Sequence, residues 1–587
     1  MIDHEDAKKI AYEKIKKVEN VKILSSEERR RDFPNSSLEI WEVSTEILLD
    51  DNILKPIKFI LLFLPDFPLS FPTVLLSKDD YEKTKHIPHV DVNRLVCTFQ
   101  NHSKPNPDKP SEVVLETLRR SKRIIEDGLN GVNTSDFDEE FMSYWQSKYS
   151  TKDSVSANII LLTKLPVGKN LKFIKLSKSF NEISIVIHQE EDIAIRFKSF
   201  LTKSGIYFTE TQGFFLGNWD NKLLPPFDWT NRQVIDLVKT EFPLKFKEYC
   251  DFLNNKKLNP KLILFSKHLN GEIKYFGWFH KTPNLKRNGF RPNTLQPVKA
   301  MSIFEGNEHL FRLSPELINS SRLVKRSAGP QQNIGKQFIY SMTGLGSIGS
   351  NLVHFLKSDP NAEFRLIDND ILKPENIGRH LLGFSYLNWY KTSGIEDYLK
   401  NNSPLRAVSI RKSSIYDIII NETEYINESD ILIVCIGEEN IERWIASKLE
   451  ENVIKVPIIF IWVEPYLAGG HCVYITPNEN NFSSFFDEHG LFKFNIIHRD
   501  EYLLNNPILT LKEAGCQTHF TPYAADQVLS FLGVLYPYIS NVIANEEKNC
   551  KSFTWVGNKS QIISNNIRIS EFGSNLTEGS INLNHLW

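Results

Sequence analysis

Phe338-Ile339-Tyr340-Ser341-Met342-Thr343-Gly344-Leu345-Gly346-Ser347-Ile348-Gly349 is the stretch that decides the fold of the C-terminal half. An apolar, strand-like run closes on a G-x-G-x-x-G turn, and a helical pattern follows over 348–357. Glycines at such a junction let backbone N–H groups and a helix N-terminus approach phosphate oxygens with no side chain in the way. Alone the motif is a weak signal, common to many nucleotide folds. The residues after it narrow the chemistry. The next apolar run, Phe364-Arg365-Leu366-Ile367, closes on Asp368, nineteen positions beyond Gly349, where a carboxylate can take ribose hydroxyls. Asp370, Asn376, Arg379 and Lys391 come next. A nicotinamide dehydrogenase shares the loop and the first acid but has no need of the rest. A loop, two acids, an amide and two cations suit a whole nucleoside triphosphate. They point to activation of a carboxylate by adenylation, whose developing charge wants fixed cations and Mg²⁺.

Outward from this motif, strands alternate with helical stretches at 337–342, 348–357, 364–368, 430–436, 440–450 and 457–463. That alternation predicts a doubly wound, Rossmann-type parallel sheet over 326–587. With 587 residues the chain is too long for one core. The expected fold class is multidomain, mixing α/β and α+β. Residues 1–150 read as a small α+β domain: a helix over 3–20, strands over 38–49 and 56–64, and a helix from Ser111 (N-cap) to Asp127 with Gly128 as its stop. A short helix then carries Phe137, Phe141, Tyr144 and Trp145. Residues 151–325, with strand-like runs and the aromatic loop Phe214–Trp219, read as a spacer or docking domain. Hydrophobic residues at 41%, charged residues at 24% and a net charge of -2 describe a soluble globular protein and disfavour a general nucleic-acid binder. No stretch approaches the roughly 18 apolar residues of a membrane span, and no secretory signal opens the chain, so the cytoplasm is the expected location.

The six cysteines form no C-x-x-C pair, which leaves no support for a zinc ribbon or a thioredoxin-type site. Cys435 and Cys472 lie in strand-like runs and read as core; Cys250 and Cys550 have no supporting neighbours. Two thiols differ. Cys516, in Glu513-Ala514-Gly515-Cys516-Gln517-Thr518-His519, has small, polar neighbours, and a thiolate attacks an acyl adenylate readily. It is either an acyl acceptor or a structural thiol, and His519 either a base or a packing residue. Cys97 ends Pro88-His89-Val90-Asp91-Val92-Asn93-Arg94-Leu95-Val96-Cys97, downstream of the proline loop Pro65-Asp66-Phe67-Pro68-Leu69-Ser70-Phe71-Pro72. His86 beside His89 lacks a third ligand for a metal reading.

The run Asp368-Asn369-Asp370…Asn376-Ile377-Gly378-Arg379-His380, with Lys391 after it, resembles the ThiF/MoeB/ubiquitin-activating superfamily. The resemblance implies a ribose contact for Asp368, with Asp370 nearby, and phosphate contacts for Asn376, Arg379 and Lys391. It implies ATP and Mg²⁺ as cofactors, and a homodimer lending an arginine, either Arg322 or Arg326. Where the family has Cys-Thr-Asp-Asn with a metal-binding Asp, this chain has Cys435-Ile436-Gly437-Glu438-Glu439-Asn440, so Glu438 or Glu439 is the candidate metal ligand. A cysteine like Cys516 lies in this region of the bacterial activating-like domains that hand their substrate to a conjugating enzyme. The paired zinc cysteines of MoeB-like sulfur-carrier enzymes are absent.

The proline loop and the His89–Cys97 segment resemble those of ubiquitin-conjugating enzymes. His89 stands where that family has an asparagine, and an imidazole N–H can donate to a developing oxyanion. Conjugating-like domain, spacer and activating-like domain together resemble bacterial fusion proteins of anti-phage operons, nearest those of the cyclic-oligonucleotide system CBASS. The resemblance implies adenylation of a partner's C-terminus and transfer through Cys516 and Cys97 thioesters to an amine. The partner is a cGAS-like nucleotidyltransferase or a ubiquitin-like protein, with neither membrane nor nucleic acid expected. Two other readings stay open: ThiF/MoeB-type adenylation for sulfur transfer or peptide modification, and a non-catalytic nucleotide-binding scaffold.

Overall fold

Residues 3–33, 38–50, 52–84, 86–99, 103–149, 154–156, 158–165, 171–180, 183–258, 261–286, 291, 294–318, 322–323, 337–479, 481–512, 519–544 and 549–584 are described by the computed structural model. Contacts divide the chain into two compact units, Met1–Glu190 with Ile206–Leu317, and Glu191–Gly205 with Ile318–Trp587.

In the first unit, α1 (His4–Ile15) precedes an antiparallel sheet of β1 (Asn20–Ile23), β2 (Glu39–Leu48), β3 (Leu54–Phe63) and β4 (Thr73–Leu76), in that order. Ala7, Ala11 and Ile15 of α1 and Val114, Leu118 and Ile125 of α2 (Pro110–Leu129) share one core with Trp41, Phe59, Leu61 and Phe63 of the sheet. Two local expectations are corrected. Helix α2 begins on Pro110, where the missing N–H costs nothing, with Lys109 at the N-cap, so Ser111 lies inside it. Gly128 does not stop the helix either: a Cβ there would stand 3.0 Å from that of Ile87, so the residue admits close approach of the loop leading to Cys97.

Helices α3 (Asp136–Glu139) and α4 (Phe141–Gln146) give Phe137, Phe141, Tyr144 and Trp145 to an aromatic core built mainly by residues 214–310. The indole N–H of Trp145 donates to the Leu313 carbonyl at 2.8 Å, and the buried Arg312 guanidinium caps the Trp145 and Ser147 carbonyls. Those residues belong to a nine-stranded mixed sheet spanning 154–317. The expected aromatic loop at Phe214–Trp219 is mostly strand, Phe208–Asn218. Its residues alternate between two covered faces, Phe214 and Leu216 in the aromatic core and Phe215 in the opposite one, which is why it lacks the polar alternation of a one-sided strand.

The second unit holds an eight-stranded sheet. In chain order its elements are β5 (Phe338–Thr343), α5 (Ser347–Leu356), β6 (Ala362–Ile367), α6 (Lys391–Asn402), β7 (Val408–Arg411), β8 (Ile431–Val434), α7 (Glu439–Glu450), β9 (Ile458–Val463), β10 (Gly469–Ile475), α8 (Ala525–Ala544), β11 (Lys551–Val556) and β12 (Ile581–Asn584). The sheet order is β7-β6-β5-β8-β9-β10-β11-β12, parallel through β9 and antiparallel beyond. The order reverses between β5 and β8, and ligands of open α/β sheets bind at such a switch point. The helix Glu191–Lys203 groups with this unit, where Arg196 donates to the Leu405 carbonyl at 3.1 Å. The reading that no stretch is apolar enough for a membrane span is corrected by α8, which qualifies by length and composition. Val528, Phe531, Leu532, Leu535 and Ile539 of α8 are buried in the core with β5 and α5, which accounts for part of that composition, since 33% of the apolar window is buried.

Candidate active sites

Two sites are built, one in each unit. In the second unit, β5 is followed by Gly344 at φ +79, where a Cβ would stand 2.6 Å from the Cys435 carbonyl that follows β8. A Cβ on Gly349 would meet the Gly344 carbonyl at 2.1 Å, whereas Gly346 faces open space. The first and third glycines thus serve packing, and the middle one leaves the loop's surface bare for a ligand. The loop is tied down from three directions. Asp368, at the end of β6, accepts from the Leu345 N–H at 2.7 Å and the Asp370 N–H at 2.8 Å. His380 donates from Nε2 to the Leu345 carbonyl at 2.8 Å, and burial pushes its pKa down to about 4, which keeps it neutral. Ser347 and Asn351 both donate to the Arg379 carbonyl at 3.0 Å.

The remaining predicted residues converge on the same edge. Lys391, buried at the start of α6, pairs with Asp370 at 2.7 Å. Asn376 closes a short turn by accepting from the Lys373 N–H at 2.9 Å. The Arg379 guanidinium lies 5.2 Å from the Tyr523 ring centre and meets no carboxylate among the described residues, so its charge is uncommitted. Burial raises the pKa of Asp368, and the neighbouring Lys391 works against that rise. Of the metal candidates, Glu439 is held by Arg443 at 2.6 Å, while Glu438 sits at the N-cap of α7 with no cation partner among the described residues. Cys435 and Cys472 are buried, as read from the sequence. Cys516 and Arg326 lie outside the described residues, as does the 513–518 segment; the strands flanking that segment pair Lys512 with His519. Arg322 is described, in a two-residue stretch.

In the first unit, Cys97 is exposed, on a loop held by unusual backbone geometry. His86, His89 and Arg94 take φ of 62, 64 and 73, a region costing non-glycine residues about 1–3 kcal/mol each unless neighbours enforce it. The neighbours here are acids. Glu140 accepts from the His89 N–H at 2.9 Å and from its Nδ1 at 2.8 Å, and Asp136 takes Nε2 at 3.0 Å. Glu140 foremost, then Asp136, raises His89 to about 9, so it is an imidazolium at neutral pH. Both ring nitrogens face carboxylates rather than the thiol, so neither N–H is free for the expected oxyanion contact in this arrangement, and the His89 carbonyl accepts from the Cys97 N–H at 2.8 Å. Asp136 and Glu140 were not singled out from the sequence. Their signal was the acidic cluster Asp136-Phe137-Asp138-Glu139-Glu140 just ahead of the aromatic run, with Asp136 and Glu140 at i, i+4. Partial desolvation, then the Glu140 and Asp91 carboxylates, push the Cys97 thiol up to about 11. The proline loop flanks the site, with Phe71 stacked on Phe99 at 3.6 Å and Arg120 over Phe99.

Residues 38–153 match the Prok-E2_B family, prokaryotic E2 family B, so the first site lies in an E2-type domain. A stretch of 133 residues, 21% of this chain, is 29% identical to the ATP-dependent ubiquitin transferase-like protein Cap2 of Pseudomonas aeruginosa (strain BWHPSA011 / Pa011). The match spans 22% of that relative's length. Among solved structures the chain is similar to PaaA (TM-score 0.31, 13% identity, 51% of this chain and 77% of that one). It is also similar to Escherichia coli MccB solved with ATP (TM-score 0.26, 16% identity, 42% and 65%). The chain joins an E2-type domain over residues 38–153 to a doubly wound domain carrying a glycine loop.

Proposed function

We propose that this chain is an ATP-dependent protein-conjugating enzyme that adenylates the C-terminal carboxylate of a partner protein and passes the acyl group through two cysteines to an amine. The observation that carries the reading is the conjunction, in one chain, of an exposed Cys97 in an E2-type domain and a bare glycine loop beside Asp368, Lys391 and Arg379. Its name makes the Cap2 relative an ATP-dependent ubiquitin transferase-like protein, which agrees.

The nucleotide site fits ATP. Gly346 leaves room over the loop, Asp368 lies where ribose binds in such sheets, and Arg379 offers a free charge to the phosphates. In the first step the partner's carboxylate oxygen bonds to the α-phosphorus and pyrophosphate leaves, its charge met by Arg379 and Lys391. A Mg²⁺ ion, when bound, neutralises phosphate charge, and Glu438 is the side chain that would hold it. The Cys516 sulfur then bonds to the acyl carbon and AMP leaves. Exchange to Cys97 frees the Cys516 thiol, and attack by a lysine amine frees Cys97. The two sulfur esters are nearly equal in energy, so the drive comes from the first step. The partner is a cGAS-like nucleotidyltransferase or a ubiquitin-like protein, and the enzyme acts as a cytoplasmic homodimer with Arg322 or Arg326 lent across it.

The test is ATP–pyrophosphate exchange that depends on a candidate polypeptide tail, followed by non-reducing gels. Exchange with thiol-sensitive adducts, lost in Cys516→Ala, is the expected result. Absence of exchange with every tail defeats the reading.

A further inference from the structure

Beside the nucleotide loop, in the second unit, lies a cleft of about 760 Å³. It begins at Gly437, two residues beyond the Cys435 carbonyl against which Gly344 packs. Trp462 and Phe492 form aromatic wall, the neighbouring Phe486 ring already carries the Arg443 guanidinium at 4.4 Å, and Glu442, Glu464 and Glu501 bring carboxylates to the cleft. Two of these acids are fully employed. Glu464 accepts from His471 at 2.8 Å, the Ile496 and Ile497 N–H groups at 2.7 and 2.9 Å, and the Tyr502 hydroxyl at 2.9 Å. Glu501 is bonded by Arg568 and Asn506.

Glu442 differs. It is 4% exposed, and one oxygen accepts from the Gly437 N–H at 3.0 Å, while the other has no hydrogen-bond partner among the described residues. The nearest cation on its helix, Arg443, is spent on Glu439 and the Gly490 carbonyl. That second oxygen opens onto the cleft, so a group entering the cleft can complete a carboxylate otherwise shut away from solvent.

We infer that this cleft is a side-chain subsite for the substrate tail, taking a lysine or arginine close to the activated carboxylate, with Glu442 as its anionic partner. The inference rests on the adenylation reading above and adds the chemistry of the tail. A cation between an aromatic face and a desolvated carboxylate gains from both, whereas an acidic tail residue would meet the Glu442 carboxyl with no free cation beside it. Burial, with Glu439 and Glu438 nearby, holds unliganded Glu442 up at about 7, so near neutral pH it is only partly ionised and a bound cation would draw it to the carboxylate form.

The test is pyrophosphate exchange by the full chain with synthetic peptides bearing a free C-terminus. In these peptides one position, walked back from the end, is lysine, methionine or glutamate. At one register lysine should outperform methionine about tenfold, and glutamate should be worst. In Glu442→Gln the lysine-to-methionine ratio should fall to near one, and in Glu442→Lys glutamate should become the better residue. These ratios are taken within one variant, so they do not depend on how much of it folds. Equal rates for the three residues at every register in the unmodified enzyme overturn the subsite while leaving adenylation standing. So does a lysine preference that survives Glu442→Gln. Failure of every peptide to support exchange removes the adenylation reading, and the subsite with it.

Discussion

His89 shows how far a single side chain can move from the role its position suggests. Placed where the E2 family has an asparagine, it is clamped by Glu140 and Asp136 and held as a cation up to about pH 9. Its folded pKa lies above the ordinary 6.5. The clamp therefore contributes stability in full below about pH 6.5 and loses it as pH rises through about 9. An NMR titration should find this ring titrating near 9, and Glu140→Gln should bring it down toward 6.5; a ring titrating at 6.5 in the unmodified protein would contradict the clamp. Cys97 obeys the same electrostatics with the opposite sign, since nearby carboxylates disfavour its thiolate. Asp91→Asn should lower the Cys97 pKa and speed iodoacetamide alkylation at neutral pH about twofold to fivefold. An unchanged rate would show that Asp91 makes no contribution to the value. None of this was legible from the sequence, because Glu140 lies more than forty positions from His89 and only the fold brings them together. The grouping of Asp368, Asp370 and Lys391 beside the glycine loop was legible, since these residues follow one another along the end of a strand and the loops after it.

Among elements, the α3–α4 segment shows what sequence reading could not supply. Its aromatics were assigned to the end of a domain closing near 150, yet they sit in the core of the next sheet. Periodicity reveals that Phe141, Tyr144 and Trp145 are buried but not against what. Trp145→Ala should cost about 3–5 kcal/mol, by opening a cavity and freeing the Leu313 carbonyl, and should lower the melting temperature of the first unit. A fragment ending at residue 150 should bind an apolar dye through Phe137, Phe141 and Trp145; a soluble, dye-silent fragment would show that the helices are self-sufficient. Gly128 teaches a similar lesson. A glycine near a helix end reads as a stop, whereas here it clears room for Ile87 and so for the loop before Cys97.

At the level of the whole molecule, the proposed relay assigns separable tasks to the two units. Cys97→Ala should keep tail-dependent pyrophosphate exchange and a thiol-sensitive adduct while losing the final amide product. If the amide still forms at the normal rate, conjugation through Cys97 is excluded and sulfur transfer or peptide modification becomes the better account. The doubly wound half was readable because one parallel sheet prints its alternation directly on the chain. The 154–317 sheet was not, since its strands come from mixed pairings, parallel and antiparallel, with both faces covered, and such strands carry no polar punctuation.

The helix Glu191–Lys203 has a practical consequence. Because it groups with the C-terminal unit while its flanks do not, the polypeptide passes between units at 190/191, 205/206 and 317/318. No single cut yields both halves intact. A scissor placed after 317 strands one helix on the wrong piece, so inheritance by shuffling would have to move the pair as a block. Co-expressed halves split there should reunite poorly unless residues 191–205 are duplicated on the C-terminal piece.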